Sequence, residues 1–232
     1  MLGTIVNAAA IIIGGILGLI IKGRFTQRFQ EIVTQATGLA VIFIGASGAI
    51  KQLTDPNCHS VLFVISLVVG GLIGEALDIE GRLKKFGDRL EALCGANGGI
   101  SKSFVSASLL FCVGSMAILG SIQSGLQHDY STLFTKSILD GVTAIIFAST
   151  LGFGVLFSAV SVLVYQGSIT LAAGLIAPYI SSDILREMSL VGGILIAALG
   201  IDMLGIRKMR TGNLLPAVFV PVVYYGVMYF VR

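Results

Sequence analysis

Long apolar runs, separated by short polar segments, dominate the hydrophobic pattern of this chain. A helix needs roughly 20 residues to cross about 30 Å of hydrocarbon, and the runs have about that length. Eight of them predict membrane segments, near residues 3–21, 34–50, 60–77, 104–122, 137–155, 157–179, 189–206 and 214–231. The pattern predicts an all-α polytopic membrane protein with about eight membrane segments in one transmembrane domain, residues 1–232.

Basic residues collect in three of the polar loops. Loops 22–31, 78–102 and 207–213 together hold eleven of the fifteen Lys and Arg residues. Because basic loops stay on the cytoplasmic side, this distribution places the three loops in the cytoplasm and predicts that both termini lie outside.

The fifth and sixth runs form one apolar stretch, 137–179, which is broken only at Gly152–Phe153–Gly154. The predicted orientation requires this stretch to begin and end on the outer side. It therefore either crosses twice or enters the membrane and turns back as a re-entrant pair, and the sequence leaves both alternatives open.

Two glycine motifs indicate an internal repeat. Ile13–Gly18 reads IGGILG and Val69–Gly74 reads VGGLIG. They predict parallel helical hairpins at 1–53 and 60–125, with a weaker third copy at 188–232. The alternative is that glycine-rich apolar helices resemble one another through composition alone.

The same glycines predict close helix packing. Gly14 with Gly18, and Gly70 with Gly74, form small-xxx-small faces, which let helix backbones approach closely in lipid. Asn7 lies on the Gly14–Gly18 face of its helix at helical spacing, so it should face a neighbouring helix. Either a hydrogen bond between helices or a ligand contact would explain it.

Composition excludes a soluble globular enzyme. Hydrophobic residues make up 55% and charged residues 12%, with a mean hydropathy of +0.96. A soluble domain is about 25% charged, so these charges are too few to cover a water-facing surface. The net charge of +3 is too small to indicate nucleic acid.

The sequence shows no arrangement of residues typical of catalysis or metal binding. Cys58, Cys94 and Cys112 are widely separated and predict free thiols, with no metal site and no cofactor. The segment Gly45–Gly48 reads GASG, like a serine nucleophile motif, but no predicted span holds a histidine to act as its base. We expect a packing face there and predict no catalytic residue and no enzyme activity.

Polar residues within the 137–179 stretch are the main candidates for a site. Gln166 falls near the middle of the sixth run, and facing lipid without a partner would cost it about 2–7 kcal/mol. Broken helices beside intramembrane polar groups are typical of transporter sites. The pathway candidates are Asn7, Asp140, Ser149, Thr150, Tyr165, Gln166 and Ser168. A structural role is the alternative, and for Asp140 it includes pairing with Lys136 one turn earlier.

Carboxylates near the predicted cytoplasmic ends have a simpler explanation. Glu75, Asp78 and Asp202 lie beside basic loops. We expect them to pair with basic loop residues at the membrane surface, and for Asp202 burial is the alternative.

Three sequence steps resemble a known family. Met1–Asn7 (MLGTIVN) with the GG segment after it, Leu139–Gly141 (LDG) and Val164–Gly167 (VYQG) resemble the bacterial inner-membrane family of YqgA and YdfK, along the full length. That family is described as a domain of unknown function. The resemblance implies a bacterial inner-membrane location and supplies no site residue.

Two functions fit these observations. The first is a small transporter or channel for an ion or small polar solute, based on the broken stretch and its polar residues. The second is a non-transporting assembly subunit, lipid-binding scaffold or sensor, based on amphipathic basic connectors after the first and third runs. The expected partners are the lipid bilayer and a small solute or ion, and the small-residue faces would permit a homo-oligomer.

Overall fold

The computed structural model describes residues 1–22, 27–94, 99–112, 115–176 and 180–231. The protein is all-helical, with 85% helix and no strand among the described residues. The helices are α1 Leu2–Lys22, α2 Gln27–Leu53, α3 Ser60–Ala76, α4 Ile79–Cys94, α5 Ile100–Cys112, α6 Ser115–Leu126, α7 Ser131–Leu151, α8 Gly154–Leu171, α9 Ala173–Ile176, α10 Ser182–Met203, a 3-10 helix Leu215–Phe219 and α11 Val220–Val231.

Five helices within the described ranges are long and apolar enough to cross a membrane: α1, residues 31–53 of α2, α7, α8 and α10. A sixth crossing results if the bent pair α5 and α6 forms one span. α3 and the segment Leu215–Met228 are apolar but shorter. The predicted membrane protein is confirmed in this coarser form, with five or six candidate spans. Eight segments would require the short helices to cross as well.

The predicted break in the fifth and sixth runs separates two helices. α7 ends at Leu151 and α8 begins at Gly154. Gly152 between them has φ of 96°, a left-handed conformation that glycine adopts without a Cβ penalty. The Nζ of Lys22, at the end of α1, donates to the carbonyl oxygen of Thr150 at 3.4 Å. A cation at a helix C-terminus is favourable, so the sequence closes α7 at this turn.

The chain divides into two compact units. Unit 1 contains Met1–Thr37, Leu83–Cys112 and Met116–Ala177. Unit 2 contains Gly38–Arg82, Val113–Ser115 and Pro178–Arg232. The internal repeat remains a prediction.

In unit 1, α1 packs along α7 through its glycines. A Cβ added to Gly14 would overlap the carbonyl oxygen of Gly141, and one added to Gly18 would overlap that of Ile145. Only a residue without a side chain lets the two backbones approach this closely. α1 and α7 are thus tightly packed, and α8 contacts both of them.

In unit 2, glycines again carry the close contacts. Gly70 and Gly74 of α3 lie against the backbone of Ala217 and Asn213, beside the 3-10 helix. Gly45 of α2 lies against Gly193 of α10. All four glycines predicted to pack helices therefore meet a neighbouring backbone. Within the GASG segment this holds for the first glycine, whereas Gly48 has open space around it.

The two predicted connectors differ in what can be described. The second forms α4, as its spacing predicts. In the first, residues 23–26 lie outside the described residues, and α2 begins directly afterwards at Gln27.

Candidate functional site

Three candidate spans of unit 1 bring their polar side chains together. The Nδ2 of Asn7 on α1 donates to Oδ2 of Asp140 on α7 at 3.0 Å. The same nitrogen donates to Oε1 of Gln166 on α8 at 3.4 Å. Asn7 and Gln166 are fully buried, and Asp140 nearly so. We call Asn7, Asp140 and Gln166 the polar triad.

A buried ion pair extends the triad along α7. The Nζ of Lys136 lies 2.5 Å from Oδ2 of Asp140, one helical turn away. Their side chains are 9% and 10% exposed. The pairing that the sequence left open therefore exists, but inside unit 1. Desolvation makes such a pair costly to break, because removing one partner leaves an uncompensated buried charge.

The hydrogen-bond geometry fixes the orientation of both amides. The carboxylate of Asp140 can only accept, so the Asn7 atom facing it must be the nitrogen. That nitrogen has a second hydrogen, so the Gln166 atom facing it must be the oxygen. This leaves Oδ1 of Asn7 and Nε2 of Gln166 pointing elsewhere.

Four buried polar atoms in this region have no hydrogen-bond partner among the described residues. They are Oγ1 of Thr4, Oδ1 of Asn7, Nε2 of Gln166 and Oγ1 of Thr170. Thr4 and Thr170 lie about one turn from Asn7 and Gln166 on the same helices, so the four groups belong to facing stretches of α1 and α8. A buried donor or acceptor without a partner costs about 1–3 kcal/mol.

The other sequence candidates lie apart from the triad's hydrogen bonds. Ser149 and Thr150 donate to carbonyl oxygens of α7 itself, one turn earlier. Ser168 donates to the carbonyl of Tyr165 and is exposed. Tyr165 is half-buried. Of the seven predicted pathway residues, the structure thus joins three by direct hydrogen bonds.

Some residues of interest had a detectable signal and were missed. Thr4 and Thr170 lie at helical spacing from Asn7 and Gln166, which would have identified them. In unit 2, the predicted seventh run, 189–206, begins two residues after the fully buried Glu187, so the run does not include this carboxylate. A span that starts earlier places this carboxylate inside it.

One of the expected surface pairings is present in unit 2. Arg210 forms an ion pair with Glu75. The Nδ2 of Asn213 donates to Oε2 of Glu75 at 2.6 Å, and its Oδ1 accepts the backbone N–H of Glu80 at 2.7 Å. Asn213 thereby ties the segment after α10 to the end of α3 and the start of α4.

Comparison with known proteins places this all-helical chain in a family. Residues 2–226 match the family model described as "Protein of unknown function (DUF554)". The chain belongs to the DUF554 family. The predicted resemblance is confirmed, and with it the coarse assignment as a membrane protein.

Two relatives cover almost the whole chain. The chain is 38% identical over 229 residues to the "Uncharacterized membrane protein YdfK" of Bacillus subtilis (strain 168), covering 99% of this chain and 97% of that protein. It is 31% identical over 223 residues to the "Uncharacterized protein YqgA" of Escherichia coli (strain K12), covering 94% and 93%. No solved structure matches this DUF554 chain.

Proposed function

We propose that this DUF554 protein moves a small polar solute or an ion across the bacterial inner membrane, and that the polar triad of unit 1 is its binding site. The observation that carries the proposal is the set of buried polar atoms without partners beside Asn7, Asp140 and Gln166. In a purely structural cluster, the buried polar groups are normally all paired. Unpaired groups on facing candidate spans are suited to a ligand that pairs with them.

The free groups favour a solute that both donates and accepts hydrogen bonds. The Nε2 of Gln166 is a donor, and the Oδ1 of Asn7 is an acceptor. The hydroxyls of Thr4 and Thr170 can serve in either role. A bare cation would be repelled by the amide N–H groups, so within the proposed class a small zwitterionic or amide-bearing solute fits these groups best.

The ion pair supplies charge of both signs at the same place. Both Lys136 and Asn7 donate to Oδ2 of Asp140, so its Oδ1 can accept from a further donor. A solute ammonium can replace Lys136 at Asp140, and a solute carboxylate can pair with the released Lys136. Exchange of this kind lets the pair open without leaving a buried charge uncompensated.

The backbone around the triad is suited to holding it in place. Gly14 and Gly18 bring α1 against α7 two to three turns from Asn7. Gly152 lets α7 and α8 meet at a short turn. The helices of 21 and 18 residues that flank this turn are each long enough to cross, which supports the two-crossing alternative over a re-entrant pair.

Flux through proteoliposomes tests the proposal. Purified protein would be reconstituted and assayed for uptake of amino acids, small amides, Na⁺, K⁺ and protons. Asn7→Ala and Gln166→Ala should lower the flux of the transported solute about tenfold or more, since one lost buried hydrogen bond is worth about 1–3 kcal/mol. Thr143→Val is the control, because this α7 hydroxyl donates to the carbonyl of Leu139 within its own helix and is not part of the polar triad.

Two outcomes would contradict the proposal. One is the absence of flux for every solute while circular dichroism shows folded protein. The other is unchanged flux in both triad variants.

The alternative function rests on α4. Lys84, Lys85 and Arg89 of this amphipathic helix are all exposed. Exposed basic residues on such a helix attract anionic lipid headgroups. A scaffold or sensor role predicts that replacing these three by Ala abolishes the cellular phenotype of the protein, whereas Gln166→Ala leaves it intact. Transport predicts the reverse.

A further inference from the structure

Unit 2 contains a buried carboxylate that the proposed transport site does not use. Glu187 lies in the second turn of α10 and is fully buried. Its Oε1 accepts the backbone N–H of His59 at 2.8 Å. Its Oε2 has no hydrogen-bond partner within the described part of the chain.

The neighbouring arginine directs its two terminal nitrogens to other groups, while its buried Nε has no hydrogen-bond partner among the described residues. Nη2 of Arg186 lies 2.5 Å from Oδ1 of Asp183 and donates to the carbonyl of Asn57 at 2.9 Å. Its Nη1 lies 3.8 Å from Asp55. The guanidinium therefore forms ion pairs with Asp183 and Asp55, and the ion pairs found among the described residues do not include one with Glu187. Glu187 interacts with the charge of Arg186 at longer range, but it has no contact ion pair within the described part of the chain.

The other groups around Glu187 are polar but carry no positive charge. The hydroxyl of Tyr225 on α11 is also buried without a partner, and its ring centroid lies 6.2 Å from that of His59. Burial, followed by the charge of Glu187, raises the pKa of the Cys58 thiol, so the thiol stays neutral. These groups can offer oxygen and sulfur lone pairs, but they cannot neutralise the carboxylate.

We propose that Glu187 Oε2 binds a small monovalent metal cation, Na⁺ or K⁺, with the hydroxyl oxygen of Tyr225 as a second ligand. An ionised buried carboxylate is strongly disfavoured without a partner, and a bound cation supplies one. A single uncompensated charge calls for a monovalent ion. The described residues contain no group of three or more His, Cys, Asp and Glu side chains placed to hold a multivalent metal.

The site is independent of the proposed transport activity. It is formed by residues of unit 2, and binding can be measured in detergent without any flux. A failure of either proposal therefore leaves the other standing.

Thermal unfolding followed by circular dichroism tests the site at pH 8. NaCl or KCl replaces choline chloride at constant ionic strength. A ligand at 100 times its Kd should raise the Tm of the wild type by roughly 5 °C or more, in a saturable manner. Glu187→Gln should abolish this shift, because its amide still accepts from His59 but carries no charge. It should also raise the Tm in choline above that of the wild type.

Two matched pairs make the test specific. Tyr225→Phe should weaken the apparent cation affinity about tenfold, whereas Tyr224→Phe, at an exposed position beside it, should leave it unchanged. Asp183→Asn, at a half-exposed carboxylate one turn earlier, should keep the cation-dependent shift. An equal shift in Glu187→Gln, or equal Tm values of the wild type in Na⁺, K⁺ and choline, would overturn the proposal. A response to pH alone would do the same, since it would identify the ligand as a proton.

Cys58 provides a second measurement that needs no change at Glu187. With the other two cysteines replaced by Ala, a bound cation should offset the charge of Glu187 and lower the Cys58 pKa toward its ordinary value. Labelling by a maleimide should then be severalfold faster in the cation that raises the Tm than in choline, since the thiolate is the reacting form. Equal labelling rates would count against the site.

Discussion

Replacing one member of the Lys136–Asp140 ion pair should lower the free energy of unfolding far more than replacing both members together. The two side chains are 9% and 10% exposed, and their charged atoms lie 2.5 Å apart. Lys136→Met leaves the Asp140 carboxylate buried with only the amide of Asn7 to bind it. Asp140→Asn leaves a buried ammonium. Each single change should lower the free energy of unfolding by about 3–5 kcal/mol, because it strands one charge.

The double variant Lys136→Met with Asp140→Asn strands no charge. Its free energy of unfolding should lie within about 1–2 kcal/mol of the wild-type value, since replacing a buried pair by groups of similar volume is often close to neutral. The sum of the single effects therefore exceeds the effect of both by several kcal/mol, which is a large coupling between neighbours.

Equilibrium unfolding in mixed micelles with increasing denaturing detergent measures all four proteins of this cycle. The matched control replaces a solvent-exposed pair, Arg210→Met with Glu75→Gln, for which screening by water makes the coupling small. The reasoning would be refuted if the changes in unfolding free energy of the two single variants summed to that of the double variant. Such additivity would show that the charges of Lys136 and Asp140 do not depend on each other. The double variant should remain folded yet lose flux if the triad is the transport site.

Three further predictions follow from the packing and the loops. Gly14→Ala should destabilise the fold by about 1–3 kcal/mol because its Cβ meets the backbone of α7, whereas Gly48→Ala, in open space, should be neutral in the same unfolding assay. Asn213→Ala should lower the free energy of unfolding by about 1–3 kcal/mol, since a backbone N–H at the start of α4 loses its acceptor, and thermal melts would show whether it does. In cells expressing protein without its native cysteines, an impermeant thiol reagent should label a cysteine at Asp55 from outside and spare one at Lys84; the opposite pattern would reverse the predicted orientation.

The sequence predicted backbone contacts better than it predicted the number of spans. Glycine pairs at i, i+4 can only help a helix by letting another backbone approach, so Gly14–Gly18 and Gly70–Gly74 identified packing faces directly. Apolar length is a weaker signal, because a run of 17 residues such as α3 falls below the length of a clear span. The ends of a helix are also hard to locate from an apolar run, because polar residues at both ends belong to the helix. α2 begins at Gln27 and continues to Leu53, beyond the predicted run 34–50.

Which polar residues meet was only partly predictable. Periodicity places Asn7 on a helix face and burial arguments turn Gln166 away from lipid, but neither determines which helices are neighbours. That Asn7 reaches both Asp140 and Gln166 depends on the packing of α1 against α7 and α8, and this pairing is a property of the fold. That the carboxylate of Glu187 accepts the backbone N–H of His59, in the loop before α3, is likewise a property of the fold.

The distribution of satisfied and unsatisfied groups within the triad separates a structural role from a pathway. Polar residues that only hold helices together gain most when each donor and acceptor is used, because every unused buried group costs about 1–3 kcal/mol. Asp140 fits that role, with Lys136 and Asn7 both donating to it. Gln166 does not, since its oxygen accepts one long bond of 3.4 Å while its nitrogen donates to nothing in the described chain. Replacing Gln166 by Leu therefore discriminates between the roles: a structural triad should lose stability, whereas a ligand site should gain stability in the absence of solute and lose flux. Thermal melts and flux measured on the same preparation decide between them, and a variant that is both less stable and still active would exclude Gln166 from the pathway.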